Sequence, residues 1–89
     1  MPEVELVIRA KVGLHARPAF LFVQEANKYT ADIRVRREGV QVNAKSFLNV
    51  LTLGATRGST ITISAEGEDA DQALAALRAL VESDFGEAA

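Results

Sequence analysis

The chain's single histidine, His15, lies two residues before Arg17, in a segment that also holds Gly13 and Pro18. An uncharged imidazole nitrogen is a good nucleophile near neutral pH, and a guanidinium presents a planar set of donors that suits phosphate oxygens. Together these residue types fit a phosphohistidine site. A lone histidine near an arginine is also common in loops and helix caps, so the residues alone leave both interpretations open.

The residues around His15 predict that it lies where a strand gives way to a helix. Gly13 permits a sharp turn, and Pro18 fits the first turn of a helix, where its missing N–H costs little. The first N–H groups of a helix lack internal partners, and the dipole is positive there. A phosphoryl group on His15 would therefore meet those N–H groups. The helix is indicated by apolar residues at helical spacing: Ala19, Phe22, Val23 and Ala26.

Two more helices are predicted further along the chain. Ser46 has the residue type of an N-cap, and Gly54 is typical of a helix end. A phosphate on Ser46 would also be favoured at a helix start, and the sequence does not choose between a cap alone and a cap that is also a regulatory site. Asp69, followed by Gln72, predicts a capping box for the third helix, whose apolar stripe is Ala70, Ala73, Leu74, Leu77, Leu80 and Val81.

Alternating apolar and polar residues predict four strands, with apolar faces at Val4, Leu6 and Ile8, at Ile33 and Val35, at Val40 and Val42, and at Ile61, Ile63 and Ala65. Glycine in residues 37–39 predicts a hairpin between the second and third strands. One apolar face per strand is typical of an antiparallel sheet covered on one side. We therefore predict an α+β fold in the order βαββαβα, as a single domain over residues 1–89, with the strand order left open.

The first helix carries more apolar surface than its core stripe needs. Ala16, Phe20 and Gln24 share a second stripe that starts beside His15, and Phe20 is expected to be partly exposed. Phe47, Leu48 and Leu51 in the second helix raise the same question. An exposed apolar patch beside a reactive group suits docking to protein partners, although these side chains could also complete the core.

Composition excludes several classes of function. The 89 residues carry a net charge of −2 and no cysteine, so a nucleic-acid partner, thiol chemistry and a cysteine-based metal site are not expected. The start of the chain does not read as a signal peptide and no apolar run could span a bilayer; we expect a cytoplasmic protein without membrane insertion. One histidine and one arginine make a poor catalytic set, so an independent enzyme is not expected either.

Residues 13–19, Gly-Leu-His-Ala-Arg-Pro-Ala, resemble the active-site signature of the HPr family, the phosphocarriers of the bacterial sugar phosphotransferase system. Residues 42–48 and the pair Leu53 and Gly54 resemble the second signature of that family, at the expected spacing. The resemblance implies an open-faced β-sandwich, in which three helices cover one face of a four-stranded antiparallel sheet. This chain departs from the family pattern at four positions. It has Phe20 where the family commonly has a small residue, and Asn49 where glycine is frequent. Methionine is frequent in the family at the positions of Leu48 and Leu51.

The same resemblance implies roles and partners. His15 would accept a phosphoryl group on Nδ1 from enzyme I and pass it to enzyme IIA components, and Arg17 would stabilise the phosphate. Ser46 matches a position that a serine kinase and phosphatase regulate in some bacteria, with a transcription regulator as a further partner. The resemblance implies a carrier without a cofactor or metal, and we expect a monomer. A regulatory paralogue, including a nitrogen-related carrier, is the main alternative. Positions of the partner-docking surface are matched by Ala16, Phe20, Gln24, Phe47, Leu48 and Leu51.

Overall fold

The computed structural model describes residues 2–9, 16–83 and 85. Its elements are β1 (Glu3–Val7), α1 (Ala16–Ala26), β2 (Asp32–Arg37), β3 (Val40–Asn43), α2 (Phe47–Thr52), β4 (Thr60–Glu66) and α3 (Ala70–Glu82). The predicted order of elements and the α+β fold class are confirmed.

The four strands form one antiparallel sheet in the order β1-β4-β2-β3. The last strand in sequence therefore lies between β1 and β2, with Leu6 opposite Ile61 and Val35 opposite Ile63. β2 and β3 form the predicted hairpin. Its turn places Glu38 at φ 50° and Gly39 at φ 82°, the left-handed backbone that favours tight hairpins.

The core lies between one face of the sheet and the helices. Ile33, Val35, Ile61 and Ile63 are fully buried on the sheet side, and they face apolar residues of the helices: Ala19, Phe22 and Ala26 of α1, Val50 of α2, and Ala73, Leu77 and Val81 of α3. The opposite face of the sheet bears polar side chains such as Thr62. β1, β2 and β4 therefore have the two-sided character that the alternation predicts.

Two details of the prediction are wrong. Asp69 makes no side-chain capping bond to α3; its carboxylate instead accepts the backbone N–H groups of Thr30 and Ala31 at 2.9 and 2.8 Å. A capping box is a local pattern, and the N–H groups before β2 compete successfully for the same carboxylate. Val40 is 56% exposed rather than part of a buried face, because β3 is a short edge strand that the helices do not fully cover.

Candidate functional site

The start of α1 carries the described part of the predicted histidine site. Ala16 and Arg17 are exposed, whereas Pro18 and Ala19 are buried against the core. His15 and Gly13 lie outside the described residues, so the predicted position of the imidazole stays a prediction. The described part of α1 includes Ala16 and Arg17, the two residues that follow His15 in the sequence.

Arg17 is exposed in the first turn of the described part of α1. Its side chain forms no ion pair or hydrogen bond in the part of the chain that the structure describes. A guanidinium without a protein partner can place its donors on a phosphate without first breaking an internal contact.

Each of the helices α1 and α2 carries one large apolar side chain that is exposed. Phe20 is 55% and Leu48 is 72% exposed, and α1 packs against α2. We use the name docking patch for the predicted partner-binding residues: Ala16, Phe20 and Gln24 on α1, and Phe47, Leu48 and Leu51 on α2. Ala16 and Gln24 are exposed as well, while Phe47 and Leu51 are half-buried. Phe20 and Leu48 are therefore surface residues, whereas Phe47 and Leu51 pack partly against the core and are partly exposed.

Hydrogen bonds join the end of α1 to the segment before α2. The Lys45 ammonium donates to the carbonyl oxygen of Tyr29 at 2.6 Å, and the Asn27 side-chain amide donates to the carbonyl oxygen of Lys45 at 3.2 Å. The backbone N–H of Lys45 donates to the Asn43 side chain at 3.0 Å. These bonds fix the residue that precedes Ser46, and sequence reasoning missed them because their partners lie up to 18 positions apart.

Ser46 caps α2 as predicted. Its hydroxyl oxygen accepts the backbone N–H of Asn49 at 3.4 Å. It also accepts the side-chain amide of Asn49 at 2.7 Å, which the sequence analysis did not foresee. Ser46 is half-buried.

The uncovered face of the sheet holds a separate polar cleft of about 650 Å³. Glu5, Thr62 and Arg36 form one row across its floor, in register on β1, β4 and β2. Arg37 also lines the cleft and is half-buried. Its guanidinium donates to the Ser59 hydroxyl at 3.3 Å. Arg37 therefore connects the end of β2 to the loop before β4.

Arg34, elsewhere on β2, pairs with Asp32 through two hydrogen bonds of 2.9 and 3.2 Å. These bonds hold the pKa of Asp32 below its ordinary value. In the described residues, no three His, Cys, Asp or Glu side chains are grouped so as to hold a metal ion. No helix there is long and apolar enough to cross a membrane.

Comparison with known proteins assigns the family. Residues 2–83 match the family model described as PTS HPr component phosphorylation site. The chain is 45% identical over 84 residues to the HPr-like protein Crh of Halalkalibacterium halodurans, covering 94% of this chain and 100% of the relative. It is 41% identical over 83 residues to the phosphocarrier protein HPr of Mycoplasma pneumoniae, covering 92% and 94%.

Solved structures agree with that assignment. HPr of Thermoanaerobacter tengcongensis superposes with a TM-score of 0.97 at 47% identity, over 100% of both chains. A dimer of HPr from the same bacterium matches with a TM-score of 0.79 at 48% identity, over 98% of this chain and 100% of that one. The family model, the relatives and the fold together show that this chain belongs to the HPr family of the phosphotransferase system.

Proposed function

We propose that this chain is a stoichiometric phosphoryl carrier rather than an enzyme, and that His15 is its acceptor. The Nδ1 nitrogen of His15 attacks the phosphorus of phosphorylated enzyme I, and the bond between phosphorus and the donor group of enzyme I breaks. The phosphoryl group then passes in the same manner from Nδ1 to an enzyme IIA component that serves sugar uptake. The observation that carries this proposal is membership of the HPr family by a chain whose single histidine lies in the segment 13–19 that resembles the active-site signature of that family.

Two features of the described residues support this proposal. Arg17, with an exposed guanidinium, would stabilise the negative charge of the phosphoryl group. The docking patch offers exposed Phe20 and Leu48 to a partner surface, and large apolar side chains at the centre of an interface are typical anchors of binding. Neither role requires a cofactor or a metal ion.

We propose further that residues 1–89 act as a single domain in the cytoplasm, where enzyme I and the IIA components operate. Ser46 would be the regulatory position, modified by a serine kinase and phosphatase and read by a transcription regulator. We propose a monomer, because a carrier that exposes one docking patch to successive partners is best served by it. A solved structure of HPr from Thermoanaerobacter tengcongensis is nevertheless a dimer.

The second candidate is a regulatory paralogue that controls targets by docking instead of feeding sugar uptake. The 45% identity to a protein named HPr-like protein Crh favours it. A carrier and a regulator would share the fold and the docking patch, so they must be separated by onward transfer of phosphate.

Reconstituted transfer separates the two functions. Phosphoenolpyruvate, enzyme I, this chain and a sugar-specific IIA component are mixed, and phosphate on the IIA component is measured with and without the chain. A carrier makes IIA phosphorylation depend on the chain in catalytic amounts. If the folded chain leaves the IIA component unphosphorylated across enzymes I and IIA components from several bacteria, including nitrogen-related ones, the regulatory function takes its place.

A further inference from the structure

The hydroxyl oxygen of Ser46 is occupied by the side chain of Asn49. A serine hydroxyl has one donor hydrogen and two acceptor lone pairs. The side-chain amide of Asn49 donates to this oxygen at 2.7 Å, which is a short bond, and the backbone N–H of the same residue donates at 3.4 Å, which is a long one. Both lone pairs of the Ser46 oxygen therefore face donors that belong to Asn49.

Asn49 lies where its side chain can reach the Ser46 oxygen. Asn49 lies three residues after Ser46, one helical turn along the same surface. Its backbone carbonyl oxygen accepts the Thr52 hydroxyl at 2.7 Å, a bond that does not involve the side-chain amide of Asn49. Asn49 is exposed, so its amide can leave Ser46 and bond to water without disturbing the core.

We infer that Asn49 is a lock on Ser46, a residue whose side-chain amide must leave the hydroxyl oxygen before Ser46 can be phosphorylated. This inference rests on the proposed regulatory role of Ser46. In the transfer, a lone pair of the Ser46 oxygen forms a bond to the γ-phosphorus of a nucleoside triphosphate. The bond from that phosphorus to the β–γ bridging oxygen breaks, the nucleoside diphosphate leaves, and the hydroxyl proton passes to a base on the kinase.

The lock lowers the rate of Ser46 phosphorylation because it reduces the fraction of molecules that can react. Only chains in which the amide has moved away present a free lone pair, and the apparent rate constant falls by that fraction. The net strength of a hydrogen bond to a neutral group corresponds to a factor of about three to ten in such an equilibrium. Asn49 thus sets how readily this chain responds to a kinase, without contact between Asn49 and the transferred phosphate.

Asn49→Ala removes the side-chain amide and retains the backbone N–H that donates to the Ser46 cap. Alanine also favours a helix more than asparagine does, so α2 is not weakened by the change. The matched control is Thr52→Val, which removes a hydroxyl from the same helix and has no hydrogen bond to Ser46. A bacterial serine kinase that phosphorylates HPr-family proteins is used with labelled ATP, and kcat/KM is measured for each variant, with Ser46→Ala as the blank.

The lock predicts that Asn49→Ala raises kcat/KM by about three- to tenfold, with Thr52→Val within twofold of wild type. Equal values for wild type and Asn49→Ala would reject the lock and leave Ser46 regulation intact. An equal rise in both variants would also reject it, because loosening of α2 would then be the cause. Absence of phosphate from Ser46 in every variant would reject the regulatory role and the lock together.

An NMR measurement tests the lock without any kinase. The side-chain amide resonances of Asn49 are compared between wild type and Ser46→Ala. Loss of a 2.7 Å hydrogen bond should move these resonances clearly, beyond the shift of the Asn27 side-chain amide, whose acceptors are backbone carbonyls. Unchanged Asn49 resonances would show that the amide does not hold Ser46, and would overturn the inference.

Discussion

The carboxylate of Asp69 accepts the backbone N–H of Ala31 at 2.8 Å, although the two residues are 38 positions apart. A second oxygen of the same carboxylate accepts the N–H of Thr30 at 2.9 Å. The start of α3 is thereby joined to the segment that leads into β2. Hydrogen bonds from backbone N–H groups, first that of Thr30, hold the pKa of Asp69 below its ordinary value.

This lowered pKa predicts a pH dependence of stability. The ionised Asp69 stabilises the folded chain above the pKa of the unfolded state, about 3.9, and that contribution is lost as pH falls through the lower folded value. Asp69→Asn should therefore reduce the free energy of unfolding at pH 7, with a smaller difference from wild type at more acidic pH. Urea unfolding between pH 7 and pH 3 measures it. Asp71→Asn, also at the start of α3, is the control; an equal pH trend in both variants would contradict the role of Asp69.

Gly67 faces Ala31 in the same region and should not tolerate a side chain. Its φ of 143° is a conformation that other residues rarely adopt, and a Cβ there would lie 2.9 Å from the Cα of Ala31. Gly67→Ala combines backbone strain with a clash and should lower the free energy of unfolding by about 3 kcal/mol. Gly39→Ala, at φ 82° with nothing within 4 Å, should cost only about 1 kcal/mol. Equal costs in denaturant unfolding would refute the contact with Ala31.

Leu48 should matter for binding and hardly for folding. Because its side chain is 72% exposed, Leu48→Ala should change the free energy of unfolding by less than about 0.5 kcal/mol. An anchor of the docking patch should nevertheless weaken binding to enzyme I by at least about fivefold. Calorimetric titration measures this, with Val40→Ala as a control, since Val40 is comparably exposed on β3. Similar losses of affinity for both variants would count against the patch.

Arg17 should act on the phosphoryl group rather than on the fold. A charge-assisted hydrogen bond is stronger than a neutral one, so Arg17→Ala should slow phosphorylation of His15 by about 10- to 100-fold with an unchanged melting temperature. Arg17→Lys retains the charge without the planar set of donors, so its rate of phosphorylation should lie between those of wild type and Arg17→Ala. Stopped-time assays with enzyme I give these rates. Arg57→Ala, an exposed arginine in the loop before β4, is the control, and an equal effect there would point to general charge.

The sequence predicts local features of this fold better than distant ones. The bounds of α2 follow from Ser46 and Gly54, because a cap and a helix end are decided within a few residues. The bonds of Asp69 with Thr30 and Ala31 could not be predicted, since nothing near Asp69 records a partner 38 positions away. The central place of β4 likewise depends on pairing between distant strands.

In the candidate site, too, local features could be predicted from the sequence and distant contacts could not. Exposure of Phe20 follows from a helix with more apolar surface than one stripe can bury. The bond between Asn49 and Ser46 was within reach of the sequence, because residues three apart on a helix are neighbours; asparagine at that spacing from a serine cap is the signal that would have found it. The hydrogen bonds of Lys45 with Asn27 and Tyr29, which follow α1, could be found only in the folded chain.

The central claim, that His15 receives the phosphoryl group, is tested most directly by labelling from phosphoenolpyruvate. Wild type, His15→Ala and Ser46→Ala are incubated with enzyme I and labelled phosphoenolpyruvate, and the label is then exposed to acid. We predict acid-labile label on wild type and Ser46→Ala, and none on His15→Ala. Label that persists in folded His15→Ala, or that survives acid, would contradict the claim and place the phosphate on another residue.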